Sequence, residues 1–206
     1  MIIFRAPELR CALFLEERNM RNKKLYPMVE CAVMVALATG LSLLTLFKLP
    51  LGGSVTVLSM LPICMLSIRH GVKWGLIGGF IYAVIQLLID LSAVLSWGLS
   101  PVAIVGCFFI DYILAFTVLG LAGVFRKHGK TGIILGICLA LALRFCAHVI
   151  SGTIIFDIWL PKDWSNPFIY AICYNGSFML PELIFTAAAA FGLINIPQIM
   201  NVKDSK

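Results

Sequence analysis

CFFIDYILAF, residues 107–116, sets an aspartate beside a tyrosine near the middle of a long apolar run. A charge at the centre of a membrane helix costs about 2.5–3.5 kcal/mol on insertion scales. Asp111 must therefore face protein or water and meet a partner that offsets the cost. The partner read from these residues is a small, aromatic, cationic ligand held between helices. Outward from this core, the apolar run covers residues 101–125. That is long enough to cross the roughly 30 Å of hydrocarbon as a helix.

The whole chain has the same character. It is 61% hydrophobic and 13% charged, with a mean hydropathy of +0.99. Soluble domains run near 45–50% apolar and about 25% charged, so the sequence reads as a polytopic membrane protein. The 206 residues suit one domain of six spans of roughly 20 residues each. The net charge of +6 does not indicate a nucleic-acid partner, because the basic residues sit in short clusters between apolar runs. Seven cysteines, at 11, 31, 64, 107, 138, 146 and 173, form no CxxC pair. They read as small apolar packing residues, with no disulfide framework and no metal site.

The spans are expected at about 26–47, 55–68, 74–91, 101–125, 131–156 and 168–196. The second is short and contains Pro62. The apolar piece within residues 1–20 is broken by Arg10, Glu16 and Glu17, unlike a signal peptide. Residues 1–24 are expected to be a poorly ordered extension, 25–197 the membrane domain and 198–206 a tail. Ten Lys/Arg lie in the breaks after spans two and four and in the two flanks: Arg21, Lys23, Lys24, Arg69, Lys73, Arg126, Lys127, Lys130, Lys203 and Lys206. The breaks after spans one, three and five hold two, Lys48 and Lys162. Cytoplasmic loops carry the excess of positive charge. The expected fold is thus an all-α bundle of six transmembrane helices with both termini cytoplasmic, in the cell membrane.

The candidate ligand residues follow from chemistry. Arg144 and His148 are four apart and share a helix face, a stripe that Gly152 and Phe156 continue. Tyr170 and Asn175 lie in the outer half of span six, and Asn175 brings an acceptor and two donors suited to a heteroaromatic edge. Together Asp111, Tyr112, His148, Phe156, Tyr170 and Asn175 offer a negative charge, π faces and an amide. An aromatic cation fits that set, since a desolvated cation–π contact contributes about 2 kcal/mol or more. Asp111 also has a structural reading, as ion-pair partner of Arg144. Asn175 has one too, as an interhelical hydrogen bond. Glu182, beside Pro181, reads as a buried structural carboxylate at a kink. Glu30 is expected at the interface or against another subunit. Ala32, Ala36 and Gly40 form a small-residue stripe that admits a close helix, either within the chain or from a partner. No GxxxxGK[ST], HExxH or GxSxG motif occurs, so neither a P-loop ATPase nor an enzyme is indicated, and no cofactor is expected.

Five ordered motifs carry a resemblance: ECAVMVALA at 30–38, LPICMLSIRHGVKWGLIGGF at 61–80, FIDYILAF at 109–116, RFCAHVISG at 144–152 and YNGSFMLPE at 174–182. Over residues 26–196 the chain resembles the thiamine-specific substrate-binding (S) components of energy-coupling-factor vitamin transporters, the thiamine transporter family. The resemblance implies a six-helix domain that binds thiamine near the outer surface beneath a lid formed by the first outward loop. It implies site residues Asp111, where relatives can have Glu, and Tyr112, His148, Tyr170 and Asn175, with Phe156 where some members stack a Trp. It implies docking of Ala32 and Ala36 on a transmembrane coupling subunit driven by two ATPase subunits. The lid loop here departs from the family in carrying Gly52-Gly53 and no Trp. Two other readings stay open from the residues themselves. One is a solitary proton-coupled secondary transporter, with Asp111, His148 or Glu182 as relay. The other is a ligand-free membrane assembly protein.

Overall fold

The structure is a computed structural model and describes residues 25–196; the extension expected at 1–24 and the tail expected at 198–206 lie outside the described residues. Helix α1 is Leu25–Ser42. An antiparallel hairpin follows, β1 Thr45–Lys48 and β2 Ser54–Thr56. Then come α2, Leu61–His70, and α3, Val72–Ser96. Helix α4 has four consecutive parts. It is α-helical over Pro101–Cys107, π-helical over Phe108–Leu114, α-helical again over Ala115–Thr117 and 3-10 over Val118–Gly123. Helices α5, Gly129–Ile154, and α6, Pro167–Ile194, complete the fold.

Among the described residues, four helical stretches are long and apolar enough to cross a membrane: Leu25–Ser42, Val72–Ser96, Pro101–Ile154 and Pro167–Ile194. With these apolar stretches the protein is a multi-pass membrane protein. The third stretch has 54 residues, about 80 Å if straight and more than twice the hydrocarbon thickness. It bends back at Gly129, whose φ of +67° favours a residue without Cβ. Polar caps mark two of the helix starts. The Ser100 hydroxyl accepts from Ala103 N at 3.3 Å before Pro101. Asn166 Oδ1 accepts from Phe168 N at 2.9 Å and Ile169 N at 3.3 Å before Pro167.

The structure revises two expected spans. The end of the first, 43–47, leaves the helix and enters β1. The second, expected over 55–68, divides into β2, a turn at Leu58 with φ +58° and the ten-residue α2. At about 15 Å this helix covers half the hydrocarbon. Eight of its residues are buried, Leu61 through Ile68, which is why its sequence is apolar on all sides. The hairpin forms because TLFK has β-favouring residues, while Pro50 and Gly52, at φ +94°, turn the chain back. Glu30, expected at the interface or against another subunit, has partners within the chain. Arg69 bonds it through Nε and, at 3.2 Å, through Nη2, and His70 Nε2 lies 2.8 Å away. This ties the start of α1 to the end of α2.

Close packing between α2, α3 and α4 depends on small residues. Ser67 Oγ donates to Gly120 O and accepts from Gly123 N at 2.9 Å. A Cβ on Gly120 would lie 2.3 Å from Gly75 C and Leu76 N, both backbone atoms. Gly120→Ala must therefore push α3 from α4. We expect it to lower stability by about 1–3 kcal/mol or more, read as a fall in the thermal unfolding midpoint of the detergent-purified protein.

Candidate functional site: a charged aromatic cavity

The π-helical stretch of α4 carries the candidate carboxylate. Such stretches are often found at functional sites, and here the local geometry brings the neighbours Asp111 and Tyr112 to the same cavity. Helix α5 supplies partners at 144, 148 and 151, one face of the helix. His148 Nδ1 lies 2.9 Å from Asp111 Oδ1, and Ser151 Oγ donates to Asp111 Oδ2. Arg144 Nε donates to His148 Nε2 at 3.3 Å. With Nε2 accepting, Nδ1 holds the ring proton and donates to Asp111. Arg144 thus reaches Asp111 through the imidazole rather than as its direct ion-pair partner. Its guanidinium stacks 4.0 Å from the Phe116 ring centre. The fixed imidazole and the serine hydroxyl hold the carboxylate in place between two donors.

Helix α6 forms the facing wall. Asn175, 5% exposed, gives Nδ2 to Ala171 O at 2.9 Å and to His148 O at 3.3 Å, so its carbonyl oxygen is the group it can offer. Tyr170, Tyr174 and Phe178 follow at helical spacing, with ring centres 6.0 and 5.9 Å apart along the row. Phe156 packs edge-to-face on Trp97 at 5.5 Å. All six ligand residues expected from the sequence line one cavity of about 490 Å³.

The hairpin closes over this row. Tyr174 donates its hydroxyl to Pro50 O and accepts from Gly53 N at 3.2 Å. Two turns on, Glu182 Oε1 accepts from Thr56 N at 2.5 Å and Thr56 Oγ1 at 2.6 Å. Glu182 is fully buried, so the carboxylate read as structural does hold structure, and it lines the cavity as well. Trp97 packs against the turn of the hairpin: a Cβ on Gly52 would sit 3.1 Å from its ring.

Sequence reasoning passed over several lining residues. Asp90 on α3 accepts from Tyr112 OH at 3.2 Å. Gln86, Tyr82, Trp97 and Lys48 line the same space. Asp90 carried a signal, being a lone carboxylate in VIQLLIDLSAV, the same argument that singled out Asp111. Of the side chains at the cavity, Asp90, Asp111 and Glu182 are carboxylates, while Lys48 and Arg144 are basic. By formal charge the carboxylates exceed the basic groups by one, which suits a monovalent organic cation. Among the described residues no group of three His, Cys, Asp or Glu side chains is placed to hold a metal ion.

Ala32 and Ala36 lie away from this cavity. They are exposed in a separate apolar groove of about 580 Å³ between α1 and α3, floored by Cys31, Val35, Ile77, Ile81 and Ile85.

The class defined by these features is a multi-pass helical membrane protein built around a charged, aromatic ligand cavity. The chain belongs to the thiamine transporter protein family, whose profile matches residues 28–201. It is 32% identical over 181 residues to the thiamine transporter ThiT of Bacillus subtilis, covering 81% of this chain and 89% of that protein. It is 24% identical over 203 residues to the ThiT of Lacticaseibacillus paracasei, covering 90% and 96% of the two chains. A solved structure of ThiT from Listeria monocytogenes superposes with a TM-score of 0.69 at 22% identity, over 86% of this chain and 98% of that one. That likeness shows the shared fold. The family's function is transport, not catalysis.

Proposed function

We propose that this chain is the high-affinity thiamine-binding S component of an energy-coupling-factor uptake transporter in the cell membrane. In this reading the chain crosses the bilayer six times with both termini cytoplasmic, the short buried α2 making the second crossing inside the bundle. Thiamine enters from outside and is delivered inward with a transmembrane coupling subunit and two ATPase subunits. The observation that carries the reading is the Asp111–His148–Ser151 unit set in an aromatic-walled cavity. Thiamine is one cation joined to an aminopyrimidine. In this reading Asp111 accepts from the exocyclic amine, and Asn175 meets the heteroaromatic edge. Tyr112, Phe156 and Tyr170 present π faces to the ring cation.

The test is direct binding. Thiamine added to the purified protein is expected to quench tryptophan fluorescence, chiefly through Trp97, so Trp97→Phe removes most of the signal while calorimetry still records binding. Absence of binding in calorimetry overturns the reading. For the energy source, uptake in cells is expected to stop when the ATPase subunits are deleted. Uptake that survives that deletion but collapses with an uncoupler assigns the chain instead to solitary proton-coupled transport.

A further inference from the structure

We propose that Asp90 is a second anionic contact of the cavity and the residue that sets its preference for the free vitamin over the vitamin's phosphate esters. The proposal rests on the thiamine-binding reading above. Asp90 lies two turns from the end of α3 and lines the same cavity as Asp111. Tyr112 OH bonds its Oδ2 at 3.2 Å, and among the described residues no group bonds Oδ1. One neutral phenol is a thin complement for a carboxylate on a membrane-spanning helix, where charged side chains pair or mark a ligand path. Lys48, on β1, lines the same cavity and its charge acts on Asp90 from beyond ion-pair distance.

The neighbouring position on the same face of α3 has the same polarity. Gln86, one turn earlier, gives its Nε2 to Ser42 Oγ at 2.7 Å, which turns its amide oxygen into the group left to offer. This wall of the cavity therefore presents acceptors: a carboxylate oxygen and an amide oxygen. An acceptor wall welcomes a ring cation or the O–H of a hydroxyethyl group, both of which free thiamine has. A phosphate ester replaces that O–H with acceptor oxygens and negative charge. It meets Asp90 as a like charge in a partly buried site, where charges are screened less than in open water. Selectivity of this kind comes from a repulsive element as much as from an attractive one.

The experiment compares thiamine and thiamine monophosphate by calorimetry on the purified full chain, for wild type, Asp90→Asn and Asp90→Glu. Asp90→Asn keeps an acceptor for Tyr112 and removes only the charge, and ligand-free thermal unfolding checks that each variant is folded. The wild-type preference for thiamine is expected to narrow about tenfold or more in Asp90→Asn, the scale of one charge in a partly buried site. In Asp90→Glu it is expected to persist. Equal change for both ligands, or no change, makes Asp90 a mere support for Tyr112 and overturns the proposal. If wild type binds neither ligand, the thiamine reading itself fails, which is a different outcome.

Discussion

Asp111→Ala is expected to lower thiamine affinity by about a hundredfold or more, the largest single loss at this site. Truncating one member of a buried, hydrogen-bonded charged set costs about 2–5 kcal/mol in binding. Here the loss has two sources. The ligand loses the anion that complements its charge. His148 Nδ1 and Ser151 Oγ also lose their acceptor, so the imidazole is no longer fixed at the position from which it packs 6.1 Å from Phe178. Asp111→Asn separates the two. It preserves size and one acceptor, so the excess loss in alanine over asparagine reports the ordering of His148. Asp111→Glu keeps the charge and adds a methylene, and is expected to retain most of the affinity. Calorimetry on protein whose unfolding midpoint is unchanged is the measurement. Affinity within threefold of wild type in Asp111→Ala takes the carboxylate out of the site.

The residues that were legible in the sequence share one property: each breaks a local rule. Asp111 is a charge among apolar residues, and His148 and Arg144 form a polar step on an apolar helix. The membrane cannot tolerate either unless they face inward, so their burial against one another follows from solvation alone. Tyr170 and Asn175 were harder, since tyrosine and asparagine occur near interfaces for other reasons. Their convergence depends on α5 and α6 approaching closely at Gly152, where a Cβ would sit 3.0 Å from Ala171 Cβ. No single-helix periodicity contains that contact.

The hairpin was not legible for a related reason. TLFKLPLGGSVT reads as the fraying end of one span and the start of the next, and its pairing is fixed by long-range partners. Tyr174 and Glu182 on α6 hold Pro50, Gly53 and Thr56 from more than a hundred residues away in the chain. The same distance explains the treatment of Glu182. Its kink was visible as Pro181-Glu182, but not that its carboxylate caps a strand. Glu30 reads as an interface or subunit contact because its partners, Arg69 and His70, lie on another helix, 39 and 40 residues away in the chain. Asp90 was missed although the solvation argument applied to it unchanged.

Ala36→Trp is expected to reduce thiamine uptake in cells at least tenfold while leaving the affinity of the purified protein for thiamine unchanged. The reasoning begins from the groove. Ala32 and Ala36 are one turn apart on α1 and exposed, and the surrounding residues Met28, Val35, Ile77, Ile81 and Ile85 are apolar, with Thr39 the polar exception. Small residues at that spacing lower the helix surface so that another helix can approach closely, and dispersion then holds the pair in a medium with no hydrophobic drive between helices. A tryptophan at 36 fills the groove and keeps the second helix away without touching the cavity, whose lining shares no residue with the groove. Lipid is an indifferent occupant of such a groove, because acyl chains adapt to the added bulk; a helix partner is not. Ala32→Trp is expected to act in the same way. Lysine at position 40, where Gly40 has nothing within 4 Å of an added Cβ, distinguishes a groove-specific block from a general insertion defect. If both tryptophan variants reach the membrane at normal level and transport at the wild-type rate, the groove is not the docking surface of the proposed partner.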